Sequence, residues 1–221
     1  MHISNIVFQD YNVKFVSNPR LKNSYIQIDK DNCIIVKTPF QSEKFVLELL
    51  HEKEAWIASQ IAKNAKREQF SIVLGKEILL FGEIYSLESE MVKSLQKRLM
   101  RLKKPTEENI KNAYEIFYRE FAAHYLDAEL QKYAAIMQLS YKELKLRKMR
   151  RRWGSCSSKG VITFNTALMK VPKECITYVV IHELAHLVYM NHSQNFHQLV
   201  EHYLPDAKSI RQRLRNLRIL Y

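Results

Sequence analysis

Along the first third of the chain, β-branched and aromatic residues gather in short runs. "IVFQDYNVKFV", "SYIQID" and "CIIVKT" are separated by Asn-Pro and Asp-Asn turns, a pattern that predicts β structure. From Ser42 to about Lys66 the period changes. Phe45, Leu49, Trp56, Ile57 and Ile61 recur at helical spacing behind a serine that can cap the start. "FSIVLGKEILLFGEIYSLE" returns to strand character, with Gly75 and Gly82 as turn points. Thr106 then opens the longest helical pattern, and Glu107 and Glu108 sit in its first turn, where the helix dipole favours negative charge.

Beyond Leu139 the segment "YKELKLRKM" roughly alternates apolar and basic residues and predicts a strand, and "VITFNTAL" predicts a second. The glycine- and serine-rich "RRRWGSCSSKG" between them would let the two pair as a hairpin. Pro172 sits where a helix can begin, "PKECITYVVIHELAHLVYM" carries it on, and Asn191 fits its stop. Ser193 caps a further helix, "QNFHQLVEHYL", and after Pro205 a basic helix runs to the C-terminus. A boundary near Lys104-Pro105 would divide a β-rich part with one helix, residues 1–104, from a helical, catalytic-looking part, residues 105–221. The two can also form one continuous domain.

The chain has 221 residues, enough for one domain or two small ones with a real core. No apolar run is long enough to span a membrane, and no signal peptide is visible at the start. Cys33, Cys156 and Cys175 are too scattered for a disulfide framework, so a reduced, cytoplasmic setting is expected. The net charge of +12 attracts phosphates, acidic proteins or acidic surfaces. Seven Lys or Arg fall between Lys142 and Arg152, against Glu143 alone. Such a run is either a solvated face or a weak, non-specific nucleic-acid contact, with Trp153 as a stacking platform.

The segment "IHELAHL" carries the sharpest chemistry. On a helix, His182 and His186 stack on one face and can point at one ion, while Glu183 reaches a coordinated water from the side. Zinc lowers the pKa of such a water to about 7, and the glutamate takes its proton. Two core histidines bonded to backbone carbonyls would also satisfy the spacing. However, the apolar flanks Val179, Val180, Ile181, Leu184, Ala185 and Leu187 would bury three ionisable groups at a cost of several kcal/mol, roughly, without a partner. A third ligand has several candidates. His192 follows His182 by the metzincin spacing, although Tyr189 stands at the glycine position and no Met-turn follows. His197 and Glu201 share one face of the next helix, and His202 points about 100° away from it. His192 ranks first because it sits at the bend where the chain turns back.

The stretch "RRWGSCSSKGVITFNTALMKVPKECITYVVIHELAHLVYMNHSQNFHQLV" resembles the YgjP-like metal-dependent hydrolases, a family related to the SprT-like and Wss-type zinc proteases. "SNPRLKNSYIQIDKDNCIIVKTPF", "EAWIASQI" and "LGKEILLFGEIYSL" resemble that family's N-terminal half. The resemblance implies a zincin-like α+β fold, with a small sheet packed on the H-E-x-x-H helix. It implies His182, His186 and His192 as zinc ligands and Glu183 as general base. The family usually has tryptophan where this chain has His197, which keeps His197 open as an added or alternative ligand.

In the R-W-G-S-C-S loop, Arg152 can place positive charge near a developing oxyanion, and Ser155 and Ser157 can supply hydroxyl donors. Trp153 can hold the loop against the metal helix, and an ordinary hairpin loop ordered by that tryptophan fits equally well. Cys156 reads as a packed thiol. A zinc-dependent metallopeptidase acting on peptide or protein is the leading expectation. The alternatives are a metal-dependent nucleotide phosphoanhydride hydrolase and a nucleic-acid-associated protease of the SprT-like type. The first lacks a glycine-rich phosphate loop, since Gly75, Gly82, Gly154 and Gly160 are all isolated.

Overall fold

The computed structural model describes residues 2–29, 32–65 and 72–217. The chain divides into two compact units, Met1–Arg67 and Glu68–Tyr221. This division falls well before the expected Lys104-Pro105 boundary. The reason is packing: Ile78, Leu80, Val92 and Leu95 are buried in the same core as Leu126 and Ile181.

The first unit holds strands β1 (His2–Phe8), β2 (Tyr11–Ser17), β3 (Tyr25–Ile28) and β4 (Ile34–Thr38) and helices α1 (Glu43–Glu52) and α2 (Glu54–Ala65). The strand order is β1-β2-β4-β3, with β2 and β4 parallel and the outer pairs antiparallel. Ser42 caps α1 by accepting from the Phe45 N–H. The single expected helix is broken at Lys53, whose φ of −102° and ψ of 13° leave helical geometry. Val46, Leu50 and Ile57 bury against Phe15, Ile34 and Val36, whereas Trp56 is 44% exposed. Of the expected stripe, Ile57 is in the core and Phe45, Leu49 and Ile61 pack against it, so Trp56 alone departs.

In the second unit, β5 (Glu77–Leu80) and β6 (Glu83–Ser86) form a hairpin. A 3-10 turn at Glu90–Val92 leads into α3 (Lys93–Met100), and α4 (Glu107–Ile136) follows, capped by the Thr106 hydroxyl. Then come β7 (Glu143–Arg147), β8 (Gly154–Cys156) and β9 (Val161–Asn165), a 3-10 turn at Thr166–Lys170, and α5 (Lys173–Ala185). The unit ends with α6 (Gln194–Tyr203) and α7 (Ala207–Asn216). Among the described residues no helix is long and apolar enough to cross a membrane.

The sheet of this unit corrects the expected hairpin. β7 and β9 lie parallel, and β9 is the central strand of the order β7-β9-β8. Its antiparallel partner is β8, which forms inside the loop that was to join the two. A two-way turn cannot bring parallel strands together, so the basic segment after β7 serves as the crossover.

α5 is apolar on nearly every side, and a helix of that kind is stable only inside a core. Cys175, Ile176, Val180, Ile181, Leu184 and Ala185 are all fully buried. The β5–β6 hairpin braces its start: Phe81 N–H donates to Met169 O at 2.8 Å and Gly82 N–H to Lys170 O at 3.2 Å. Gly82 has φ +81°, and a Cβ there would meet Pro172 Cγ at 2.8 Å, so this approach requires glycine. The helix stops at Ala185, five residues before the expected end at Met190. Leu187 and Val188 donate to Leu184 and Ala185, which tightens the last turn and swings the chain away.

Asn165, at the end of β9 and fully buried, ties the crossover down. Its amide donates to Met149 O at 2.7 Å and Arg152 O at 2.9 Å, and its carbonyl oxygen accepts from the Ala167 and Met149 N–H groups. Asn165→Ala should destabilise the second unit by about 2–4 kcal/mol, because several buried backbone groups lose their partner. Urea unfolding followed by Trp153 fluorescence in a Trp56→Phe background measures this. A loss below about 0.5 kcal/mol, the range of ordinary surface changes, would remove Asn165 from that role.

Candidate metal centre

α5 presents His182 on its last full turn and His186 at its C-cap, and the bend after Ala185 returns His192 to the same point. One ligand-capable atom from each of the three lies within 4.8 Å of the others. Among the described residues this is the one such group of three or more His, Cys, Asp or Glu. His182 Nε2 and His192 Nε2 are 3.1 Å apart. Two nitrogens bound at about 2.0–2.1 Å in a tetrahedral site would be about 3.3 Å apart, so the spacing suits an ion between them. His186 Nδ1 is 3.0 Å from the Tyr189 carbonyl and carries the proton it donates there, leaving Nε2 as the acceptor. His182 Nδ1 lies 3.4 Å from the Tyr178 hydroxyl.

The ring of Phe196, fully buried on α6, forms the floor. Its centroid is 4.9, 4.6 and 4.9 Å from those of His182, His186 and His192. Ser193 fixes the start of that helix by accepting from the Phe196 N–H. Burial, together with the neighbouring histidines and Arg211, lowers the His182 pKa to about 3, and burial lowers that of His192. Both rings are thus neutral at ordinary pH, the form that binds a cation.

Glu183 is only 5% exposed, and its Oε2 has no hydrogen-bond partner. Burial pushes its pKa up to about 8, and the charge of Arg152 opposes part of that rise. The carboxyl is pressed against β8: a Cβ on Gly154 would lie 2.6 Å from Glu183 Oε1 and 2.8 Å from its Cγ. A bare backbone is the condition for Glu183 to occupy this place. The neutral imidazole donor set and the orphaned carboxylate oxygen together fit a divalent cation.

Other residues singled out in the sequence are distributed around this centre. Trp153 is half-buried against the core, and its carbonyl accepts from Asn165 N–H at 2.8 Å. Ser155 pairs with Thr163 in the sheet, while the Ser157 hydroxyl accepts from Val161 N–H within the turn. Burial and the Glu183 carboxylate push the Cys156 thiol up to about 11. His197 stacks beside His192 with centroids 6.2 Å apart, outside the three-histidine group, and Glu201 is exposed. In the basic run, Lys145 pairs with Glu143 at 3.1 Å and Lys148 with Glu115. Sequence reasoning passed over Gly154, Tyr178, Asn165 and Phe196. An isolated glycine in a strand, which marks close backbone approach, was the available signal for the first. The i, i+4 spacing to His182 was the signal for Tyr178.

A helix carrying H-E-x-x-H, packed on a small mixed sheet and closed by a third histidine beyond a bend, defines a zincin-like α+β metallohydrolase. A family model described as YgjP-like, metallopeptidase domain, matches residues 22–217. The chain belongs to the YgjP-like metallopeptidase domain family. It is a metal-dependent hydrolase of the metallopeptidase class. No curated protein matches it. Among the solved structures similar to it are two metallopeptidase zymogens. One is the metallopeptidase zymogen of Pyrococcus abyssi abylysin, 30% identical, with 40% of this chain and 90% of that chain covered and a TM-score of 0.37. The other is the metallopeptidase zymogen of Methanocaldococcus jannaschii jannalysin, 16% identical, with 40% and 91% covered and a TM-score of 0.36.

Gly154→Ala should displace the Glu183 carboxyl while leaving the histidines in place. The expected result is a loss of hydrolytic rate of about 10²-fold with metal content intact, the cost of a misplacement near 1 Å. Metal analysis beside kinetics checks it. Full activity in this variant would show that the carboxyl does not depend on that gap.

Proposed function

We propose that this chain is a zinc peptidase in which His182, His186 and His192 hold the ion and Glu183 is the general base. The observation that carries the reading is the convergence of three imidazoles beside a buried carboxylate with an unpartnered oxygen. When bound, zinc supplies Lewis acidity toward a water and a substrate carbonyl. Glu183 Oε2 takes the proton of the attacking water and returns it to the leaving amine. Its raised pKa suits both directions of transfer near neutral pH. Gly154 holds that carboxyl in register, Phe196 keeps water from the rear of the histidines, and Tyr178 and the Tyr189 carbonyl orient two of the rings. Arg152, whose charge acts on Glu183, would favour negative charge that develops at the carbonyl.

The substrate is an extended stretch of peptide or protein. β8 pairs with β9 on one side only, and the bonds of Trp153 O and Ser157 N face β9. By strand alternation the backbone groups of Gly154 and Cys156 face outward, next to Glu183, and can pair with an added strand. A nucleotide substrate is less well supported, because no glycine-rich loop stands at the site. Nucleic-acid contact through 142–152 draws less support as well, because Lys145 and Lys148 already pair with carboxylates.

Replacing His182, His186 or His192 with alanine should remove the ion and lower the melting temperature gain that zinc confers on the wild type. Glu183→Gln should keep the ion and lose turnover by at least about 10²-fold. His197→Ala should retain zinc far better than His192→Ala. Zinc titration and casein-type hydrolysis assays on the set decide it. Wild-type hydrolysis by the glutamine variant would overturn the general-base role. Greater zinc loss at His197 than at His192 would move the third ligand onto α6.

A further inference from the structure

β1 forms one outer edge of the four-stranded sheet, and among the described residues its one partner strand is β2. Across the parallel β2–β4 pair, Asn18 N–H donates to Thr38 O at 2.9 Å. Backbone groups alternate sides along a strand, so Val13, Phe15 and Ser17 turn theirs the other way, toward β1. Their antiparallel partners there are Ile6, Ser4 and His2. The N–H and C=O groups of Ile3, Asn5 and Val7 therefore face out of the sheet, away from β2. The side chains of the same three residues lie on one exposed face, with Ile3 52% and Val7 69% exposed.

An open edge invites further pairing, and proteins usually blunt it with charge, proline or brevity. β7, an outer strand of the second unit, exposes Glu143, Lys145 and Arg147 along its length. β3, the opposite edge of the first sheet, is only four residues long. β1 has neither protection. Its seven residues, HISNIVF, include no Lys, Arg, Asp, Glu or Pro, in a chain whose net charge is +12. The strand thus lacks the like charges that would hold two copies of this chain apart at that edge.

The same seven residues are complementary to themselves. About a two-fold axis at Asn5, an antiparallel pair of β1 strands sets Asn5 against Asn5 and Ile3 against Val7 of the second copy, so every outward backbone group finds a partner. The apolar side chains then pack across the strands on the exposed face. The two Asn5 amides, each both donor and acceptor, face one another. An axis at Ser4 or Ile6 would set Asn5 against Ile3 or Val7 and leave the end of the strand unpaired.

We propose that β1 is a self-association edge: two copies of this chain pair antiparallel through residues 2–8 about Asn5, joining two four-stranded sheets into one. Each copy uses up its edge, so assembly closes at the dimer. The contact is small, and the dimer is therefore weak and dependent on concentration.

Sedimentation velocity and light scattering on the full chain, from about 5 to about 500 μM, read the association directly. The wild type should pass from monomer to dimer across that range. Asn5→Pro removes an outward N–H and spares the β1–β2 ladder, while Ile3→Lys and Val7→Glu each set a charge against an apolar side chain. Each of the three should weaken dimerisation by about tenfold or more, with circular dichroism unchanged. The Ile3→Lys/Val7→Glu double variant sets opposite charges across the axis and should recover most of the loss, whereas Ile3→Lys/Val7→Lys should not. Monomer at every concentration, which leaves the edge to some other partner, overturns the proposal. A dimer that survives any folded single variant overturns it as well, since its interface then lies elsewhere. Assemblies that grow beyond the dimer, or equal affinity in the two double variants, overturn the two-fold at Asn5. Should Asn5→Pro fail to fold, the charge variants decide alone.

Discussion

A carboxylate on the buried face of a largely apolar helix, pressed against a strand, needs a neighbouring backbone that comes close without a side chain of its own. Glu183 and Gly154 meet that condition, and much of the second unit follows from it. α5 is held by its apolar surface, so Glu183 has no freedom to move toward water. β8 must therefore approach α5 within van der Waals contact, which a Cβ at 154 would forbid. The strand keeps that place through β9 on one side and through Asn165, which fastens the carbonyls of Met149 and Arg152 just upstream. Leaving a buried carboxylate oxygen unpartnered costs on the order of 1–3 kcal/mol, and the core of α5 has to supply it. A water held beside the three histidines would give that oxygen a partner.

The histidines are arranged by a second constraint, the early end of α5. Were the helix to run on to Met190, His192 would be carried away from His182 along the axis. Tightened turns after Leu184 and Ala185 bring the chain round instead, and the Tyr189 carbonyl exposed by that turn receives His186 Nδ1. The same carbonyl would have been consumed inside a longer helix. Phe196 then fills the space under all three rings, and its own position is set by the Ser193 cap.

These features differ in how far they could be read from the chain alone. Caps were legible at Ser42, Thr106 and Ser193, because a side-chain oxygen before a periodic run is a local signal. The H-E-x-x-H face was legible for the same reason, since helical periodicity alone brings His182 and His186 together. What failed was non-local. The β7–β9 pairing is parallel because β8 claims the other edge of β9, and nothing in "YKELKLRKM" encodes which strand lies beside it. The unit boundary was missed because Ile78, Leu80 and Leu95 join a core whose other members lie beyond residue 113. The helix end at Ala185 was missed because Leu187 and Met190 have good helical propensity and no glycine or proline interrupts the run, and tertiary packing overrode it.

Positive charge in this chain acts differently according to what faces it. In the crossover, Lys145 and Lys148 meet Glu143 and Glu115 across exposed surfaces, where such pairs contribute little to stability and are screened by salt. Around the site, Arg152 works on a carboxyl that is nearly dry, so its field is less screened than that of the exposed lysines. It opposes the desolvation that raises Glu183, and so draws the carboxyl back toward the ordinary carboxylate range. Burial by α5 and the charge of one arginine on the exposed flank thus pull the carboxyl in opposite directions, and burial prevails.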